Sequence, residues 1–345
     1  MRWSQRWRLR ASAAVAATGL VVLGACGDEE LPQNTLDPQG PVARQLDDLF
    51  SPVFLVAVAT FFLVEGLILF ALFRFRSRGP DDAPPQIHGN VRMELGWTIA
   101  PALLMAVVGF FTVRTILDIN EVDASGEALA VEVIGHQFWW EYRYPALNIT
   151  TANELHIPIG RPVTLRMTSD DVIHSFWPPK LAGKLDVIPG RTNSMEVEAD
   201  QPGIYYGQCA EYCGESHANM RLRVVAHSQA DFDRWAADQQ RPGLSPEQVA
   251  ARDAEAGAGA KLFYGSAACN SCHTVSGQST ATIGPNLTHL FSRDVFAGAI
   301  FDLDERNLRR WLRDPQAVKP GNRMVIRELS EEEITQLIAY LETLE

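Results

Sequence analysis

Two long apolar stretches near the start of this 345-residue chain constrain its fold more than any other feature. Residues 51–73 and 95–117 each run for more than twenty residues with few ionisable side chains, which is long enough to cross a bilayer as an α-helix. The loop between them, 74–94, carries Arg74, Arg76, Arg78 and Arg92. Because basic loops stay on the cytoplasmic side, the sequence predicts a two-helix transmembrane hairpin with both ends outside the cytoplasm.

The first 25 residues have the composition of an export signal. Arginines precede a short apolar run, which ends in Leu23, Gly24, Ala25 and Cys26. This ending is similar to a bacterial lipobox, in which Cys26 becomes the lipidated first residue. The alternative is a plain signal peptide with an incidental cysteine. In either case 26–50 becomes an external segment, in agreement with the predicted orientation of the hairpin.

The rest of the chain divides into a β-rich part and a helical part. Short runs rich in β-branched and aromatic residues, separated by Pro, Gly and Asn, predict an all-β antiparallel sandwich or barrel over 118–227. Two short helical patterns around a Pro/Gly hinge make 228–253 a linker. Residues 254–345 are predicted helical, and Ser330 and Glu333 form a capping box before the last helix.

The net charge of the chain is -12, which argues against nucleic acid as a partner.

Two carboxylates near the apolar spans give further expectations. Glu65 lies in the middle of the first apolar span, where an ionisable side chain is costly, and a hydrogen bond to a neighbouring subunit would account for it. Glu94 lies at the cytoplasmic end of the second span and is either a solvated helix end or a functional group.

The segment CNSCH contains the Cys-x-x-Cys-His pattern that attaches a c-type haem. Cys269 and Cys272 would form the thioether bonds, and His273 would bind the iron. A redox dithiol or half of a zinc site are the alternatives, but a small, exported, helical domain favours haem. Met324 is the only methionine after the motif and is predicted as the second axial ligand. A haem iron with both a histidine and a methionine ligand has no open coordination position, which indicates electron transfer.

The segment QCAEYCGESHANM packs several metal-binding side chains into one turn. Its candidates are Cys209, Glu211, Cys213, His217 and Met220. Thiolates, imidazole and thioether together favour copper over harder cations, and His174 in DDVIHSFWPP supplies a second imidazole. Two cysteines four residues apart suggest a two-copper site with bridging thiolates. A disulfide or a structural zinc site are the alternatives, and neither explains the methionine.

Together these motifs resemble subunit II of the haem-copper cytochrome c oxidases, in the variety with a cytochrome c domain fused at the C-terminus. Further likeness lies in ELGWTIAPA, GHQFWWEY, KLDVIPGR, GPNLTHL and DPQAVKPGNRM. The resemblance implies a multidomain fold: a two-helix transmembrane hairpin, an all-β cupredoxin-like sandwich and an all-α class I cytochrome c domain. It also implies a bacterial inner-membrane location with the N-terminus and both redox domains on the periplasmic side.

The resemblance also implies roles for individual residues. The binuclear copper A ligands would be His174, Cys209, Glu211, Cys213, His217 and Met220. Glu211 would give its main-chain carbonyl to copper and its carboxylate to a magnesium ion at the boundary with subunit I. Glu94 would lie near the entrance of a proton pathway into subunit I. One covalent haem c would be held by Cys269, Cys272, His273 and Met324.

Two positions depart from the family pattern. The first aromatic residue after GHQ is commonly a tryptophan that receives the electron of soluble cytochrome c, whereas here it is Phe138, followed by Trp139 and Trp140. A tethered haem makes this loss tolerable, because linkage raises the effective concentration of the donor. These aromatics, with Phe176, form a candidate electron path, although sandwich core packing accounts equally well for Trp140 and Phe176. Val325 stands where a proline often follows the haem-ligating methionine.

The implied function is that of an electron relay with no catalytic residue of its own. A c-type cytochrome or a membrane reductase would reduce the haem, the electron would pass to copper A, and subunit I would reduce oxygen to water. Other oxidase subunits are implied partners. Two alternatives are the copper A subunit of a nitric oxide reductase and, from a different class, a copper-delivery protein.

Overall fold

The computed structural model describes residues 31–76, 79, 86, 88–120 and 128–345. The predicted signal peptide and the lipidation at Cys26 lie outside the described residues, as does most of the loop between the two apolar spans.

Two long apolar helices form the N-terminal hairpin. They are α1 (Pro41–Arg74) and α2 (Val91–Asn120). Over the most apolar stretch of each helix the mean hydropathy is 2.6 in α1 and 1.9 in α2, and no residue of these stretches is buried within the chain. Both are long and apolar enough to cross a membrane. Helix α1 begins well before the apolar span, because its first turn packs on the next domain: Ala43 is buried and donates its N–H to the carbonyl of Leu181 at 3.2 Å.

Two five-stranded sheets pack into a β-sandwich, which we call the sandwich domain (129–227). Its strands are β1 (Leu129–His136), β2 (Trp139–Tyr144), β3 (Ile149–Ala152), β4 (Glu154–Pro158), β5 (Val163–Ser169), β6 (His174–Trp177), β7 (Leu185–Val187), β8 (Asn193–Val197), β9 (Gly203–Cys209) and β10 (Arg221–His227). The sheet orders are β3-β2-β1-β5-β8 and β4-β10-β9-β6-β7. Apolar side chains from both sheets fill the space between them, and Val131, Leu165 and Val224 are fully buried there.

The prediction that this domain is antiparallel throughout is wrong. Strand β1 pairs in parallel with β5, and β4 pairs in parallel with β10. The reason lies in the connections, since the chain leaves the first sheet after β3, adds β4 to the second sheet and then returns at β5. A chain that crosses between sheets can re-enter beside its starting strand in the same direction, which a tight hairpin cannot do.

The predicted linker is helical, and its two helices pack on different domains. Helix α3 (Gln229–Gln239) buries Phe232 and Ala236 in the core of the sandwich domain, whereas α4 (Pro246–Arg252) buries Val249 in the core of the next domain. The segment predicted as a linker therefore extends both folded units and leaves only a short connection between them.

The C-terminal part, which we call the helical domain (246–345), is built around α4 and four further helices. These are α5 (Ala254–Tyr264), α6 (Glu305–Arg313), α7 (Pro315–Val318) and α8 (Glu331–Leu341). Two short hairpins accompany them: β11 (Thr274–Val275) with β12 (Ser279–Thr280), and β13 (Val295–Phe296) with β14 (Phe301–Asp302). The capping box of Ser330 and Glu333 is present, as the sequence predicted.

A buried histidine pair in the sandwich domain gives a prediction about acid stability. His156 Nδ1 lies 2.8 Å from His227 Nε2, and the His156 ring stacks on Trp235 at 4.3 Å. Burial, followed by repulsion from His156, lowers the pKa of His227 from 6.5 to about 4. The unfolded chain thus binds this proton at a higher pH than the folded chain, so folding free energy is lost as pH falls from about 6.5 towards about 4.

We expect the loss through His227 to be about 1–2 kcal/mol, because the ring is partly exposed and solvent screens part of the shift. Thermal unfolding of the detergent-solubilised chain, followed by near-ultraviolet circular dichroism, checks this. Between pH 6.5 and 4 the unfolding midpoint should fall more steeply for the wild type than for His227→Gln. Identical slopes for both proteins would show that His227 does not carry the effect.

Candidate metal centre and haem cavity

The loop between β9 and β10 gathers the sulfur ligands predicted for a metal. Its two ends are tied together, since the Cys209 N–H donates to the carbonyl of Met220 at 2.8 Å. The Ala210 N–H donates to the carbonyl of Ser175 at 2.9 Å, which fixes the loop to the strand that carries His174. The pairing of β9 with β6 thereby brings together residues that lie 35 positions apart in sequence.

The donor atoms converge on one small volume. Cys209 Sγ lies 3.9 Å from His174 Nδ1, 3.9 Å from Cys213 Sγ and 3.2 Å from the Glu211 carbonyl oxygen. Cys213 Sγ in turn lies 3.6 Å from His217 Nδ1 and 3.8 Å from Met220 Sδ. Ligand atoms about 2.0–2.3 Å from a shared tetrahedral metal are separated by about 3.3–3.8 Å. The cluster therefore has the spacing that a metal site requires, and both cysteines are free thiols.

A carboxylate missed in the sequence orients one of these histidines. His174 Nε2 donates to Asp171 Oδ1 at 2.8 Å, which leaves Nδ1 to face Cys209. Burial opposes ionisation of Asp171, but hydrogen bonds from His174 and from backbone N–H groups outweigh it and lower the pKa to about 2. The imidazole lies directly over Gly135, where a Cβ would come within 2.8 Å of the ring. In the sequence, the i, i+3 spacing of Asp171 and His174 was the signal that could have indicated this hydrogen bond.

The contact between the two cysteines favours ionisation of one thiol to a thiolate. The hydrogen bond that Cys209 and Cys213 share lowers the pKa of Cys209 to about 4 and raises the pKa of Cys213. Since the thiolate is the metal-binding form of cysteine, this part of the loop gives up its first proton readily. Gln137 adds a support that sequence reasoning did not single out, because its Nε2 donates to the carbonyl of Cys213 at 2.6 Å.

A cavity of about 420 Å³ in the helical domain collects the predicted haem ligands Cys269, Cys272, His273 and Met324 in its wall. His273 Nδ1 donates to the carbonyl of Pro285 at 2.9 Å, so Nε2 keeps its lone pair for an iron. Burial lowers the pKa of His273, which favours the neutral ligand form. The size, the apolar lining and these donors fit a haem.

The Met324 side chain is held by Trp311, which was not among the predicted site residues. Trp311 Nε1 donates to Met324 Sδ at 3.1 Å, and Asn322 Oδ1 accepts the Met324 N–H at 2.8 Å. Both contacts fix the sulfur in the cavity wall. The next residue, Val325, is 84% exposed, so this edge of the cavity lies at the protein surface.

The cavity and the metal loop meet at one interface. Gln137, Phe138 and Trp139 of the sandwich domain also line the cavity. The ring of Phe138 lies against Gly214 of the metal loop and against Gly321 of the helical domain. Trp139 stacks on His136 with ring centroids 4.2 Å apart. The structure thus places Phe138, the first aromatic of GHQFWWEY, between the two candidate sites, and Trp139 in the cavity wall.

The remaining predicted aromatics lie in the core of the sandwich domain. Trp140 and Phe176 are fully buried and pack edge to face at 5.3 Å, and Trp140 also packs edge to face on the His174 ring at 5.8 Å. Within the metal loop, Glu211 has an exposed side chain. Glu94 is exposed at the start of α2, where its Oε1 accepts the N–H of Asn90 at 3.1 Å and caps the helix. Glu65 lies on the unburied part of α1.

A membrane hairpin, a β-sandwich with a cysteine-rich metal site and a helical domain with a haem cavity define a membrane-anchored electron-transfer protein. Three family models match in chain order: the transmembrane domain of cytochrome c oxidase subunit II over 31–115, its periplasmic domain over 146–227 and cytochrome c over 256–345. The chain belongs to the cytochrome c oxidase subunit 2 family. It is an electron-transfer subunit of a terminal oxidase.

Two relatives match almost end to end. Cytochrome c oxidase subunit 2 of Alkalihalophilus pseudofirmus is 36% identical over 94% of each chain. The protein of the same name from Bacillus sp. strain PS3 is 32% identical over 98% of this chain and 97% of its own. Among solved structures, the periplasmic domain of subunit II from Bradyrhizobium japonicum is 28% identical over 34% of this chain and 97% of its own, with a TM-score of 0.33.

Membership confirms several of the expectations. The chain is a two-pass membrane protein within a haem-copper oxidase complex, and its family domains imply copper A and a c-type haem. The predicted fold class, a transmembrane hairpin followed by a cupredoxin-like sandwich and a cytochrome c domain, is likewise confirmed.

Proposed function

We propose that the helical domain accepts single electrons from an external donor and that the sandwich domain passes them to the oxygen-reducing subunit I. One observation supports this more than any other: the cavity with the predicted haem ligands is also lined by Gln137, Phe138 and Trp139. Gln137 is hydrogen-bonded to Cys213 of the metal loop. The two sites therefore share one short stretch of chain.

When bound, a c-type haem and a two-copper centre supply one-electron redox chemistry. The haem would be attached through Cys269 and Cys272 and ligated by His273 and Met324. The Cys209 and Cys213 thiolates would hold the two coppers. His174, His217, Met220 and the Glu211 carbonyl would complete the cage, and Asp171 would hold the His174 ring in its orientation.

The exposed carboxylate of Glu211 supports a contact with subunit I. Its main chain faces Cys209 while its side chain is directed to the protein surface. A carboxylate there suits a magnesium ion shared across a subunit boundary, because Mg²⁺ prefers oxygen ligands and keeps several waters. Electrons would leave the chain at this surface.

The charge of the loop between α1 and α2 supports an orientation in the membrane. Its arginines favour a cytoplasmic position, because basic loops stay on the cytoplasmic side. The sandwich and helical domains would then lie on the periplasmic side. Glu94 would be at the cytoplasmic surface, close to where protons enter subunit I.

The external donor would reach the helical domain first. Phe138 is only 2% exposed and is covered by the helical domain, so a soluble carrier cannot touch it directly. The Met324 edge of the haem cavity, marked by the exposed Val325, remains accessible. A c-type cytochrome or a membrane-bound reductase is the donor that suits such an edge.

The experiment is to purify the membrane complex, measure its copper and haem content, and record its oxygen uptake with reduced cytochrome c. The proposal requires two coppers and one covalent haem in this chain, retained through dialysis against a chelator, with oxygen consumption that depends on them. Consumption of nitric oxide without oxygen would favour the reductase alternative. Loss of copper during dialysis would favour a copper-delivery protein.

A further inference from the structure

Two buried ionisable residues lie at the interface between the sandwich and helical domains, and neither is used by the proposed relay. Glu154, at the start of β4, is 1% exposed, and Lys319, just after α7, is 2% exposed. Glutamate and lysine are almost never fully buried unless paired. Each of these two residues reaches across the domain boundary to backbone groups, and Glu154 Oε2 also lies 3.6 Å from His156 Nε2 within the sandwich domain.

Glu154 belongs to the sandwich domain, but its partners are in the helical domain. Its Oε1 accepts the N–H groups of Asp294 and Val295, both at 2.9 Å. Hydrogen bonds to an ionised acceptor are stronger than those between neutral groups. The start of β13 is therefore held to β4 by one buried carboxylate.

Lys319 makes the reciprocal contact. It belongs to the helical domain, and its Nζ donates to the carbonyl of Phe138 in the sandwich domain at 2.5 Å and to that of Ala297 at 2.7 Å. Within the described residues it has no ion pair. Burial lowers the pKa of Lys319 to about 7, because the ammonium form loses its contact with water there.

The backbones meet closely at the same place. Gly298 has φ of +78°, and its carbonyl accepts the N–H of Arg221 at 2.9 Å across the interface. A Cβ at Gly298 would lie 2.6 Å from the Phe138 carbonyl oxygen and 2.8 Å from the Asn219 carbonyl oxygen. Only glycine fits this conformation and this space, so the interface allows little variation in how the domains approach.

Buried charges are an expensive way to hold two surfaces together, because apolar side chains of similar volume often give equal or greater stability. What charged groups add is direction, since each must meet particular backbone atoms. We propose that Glu154 and Lys319 form an interdomain latch that fixes the helical domain in one docked position, with the haem cavity against Phe138. Its value for electron transfer rests on the proposed function, whereas the latch itself does not.

An ion pair with one exposed partner, at the rim of the same interface, serves as a comparison. Arg223 contacts Asp302 at 3.2 Å, and the side chains of Arg223 and Asp302 are 15% and 79% exposed. Exposed ion pairs contribute little to stability. Removing this pair should therefore leave docking almost unchanged, which makes Asp302→Asn a matched control for the two buried residues.

Amide hydrogen exchange at Arg221 in the purified complex reports on docking, because this N–H bonds to Gly298 and to neither latch residue. Lys319→Met and Glu154→Gln should each accelerate its exchange about tenfold, the change in docking equilibrium equivalent to about 1.4 kcal/mol. Asp302→Asn should have no such effect. Haem and metal-site spectra and core amide exchange should stay at wild-type values, which shows that the variants fold.

Unchanged Arg221 exchange in both latch variants would overturn the proposal, and so would an equal acceleration in Asp302→Asn. If Glu154→Gln folds poorly, Lys319→Met still decides, because methionine fits an apolar interface. The rate of electron transfer from haem to copper is the second readout, and it should be slower in the latch variants. Altered exchange in a complex that transfers no electrons would support the latch and refute the relay.

Discussion

Replacing Cys213 by serine should abolish the near-infrared absorbance of copper A and leave the c-type haem spectrum intact. Cys213 Sγ lies within 3.9 Å of Cys209 Sγ, His217 Nδ1 and Met220 Sδ. A serine hydroxyl does not ionise at neutral pH and is a hard ligand, so it cannot replace a bridging thiolate. We expect complete loss of the two-copper signal rather than a partial decrease.

The reciprocal control uses the other cysteine pair. Cys272→Ser should prevent full haem attachment and leave the copper signal in place, because the haem cavity has its own core of helical-domain residues. Metal analysis and optical spectra of both variants give the result. If either single variant removed both signals, the two sites would not be separate centres.

Replacing Met324 by leucine should change the ligation of the haem. The Met324 sulfur accepts a hydrogen bond from Trp311 in the cavity wall, and it is the only methionine after the CNSCH motif. Leucine keeps the volume but offers no donor atom, so the iron should become high-spin or take another ligand. The reduction potential should fall, because a thioether ligand raises it.

Optical and electron paramagnetic resonance spectra of the ferric protein measure this change. Val325→Leu is the matched control, since it alters the exposed neighbour of Met324 and should leave the spectrum unchanged. An unaltered ferric spectrum in Met324→Leu would remove Met324 as a ligand.

Local patterns in the sequence predicted the long helices and the grouping of the candidate metal ligands. Apolar length predicts α1 and α2, the capping box predicts α8, and the spacing of soft donors predicts the metal loop. These signals are local because each depends on residues within one turn, one helix or one loop. His174 is the exception, since it lies 35 residues from Cys209 and was predicted as a ligand because it offers a second imidazole in a polar turn between β runs.

The interface could not be predicted in the same way. Glu154 and Lys319 are ordinary charges in the sequence, and their burial depends on how two independently folded domains meet. The packing of the linker helix α3 could have been predicted, because Phe232, Trp235 and Ala236 have the i, i+3, i+4 spacing of a packed helix face. The parallel pairing of β1 with β5 required knowledge of which strands change sheets.

The most direct test of the relay is to reduce the haem of the intact complex with a light-driven donor and follow both centres with time. Haem oxidation and copper reduction should occur together, with a first-order rate that does not depend on protein concentration. A rate proportional to protein concentration, or copper reduction that precedes haem reduction, would contradict the proposed relay.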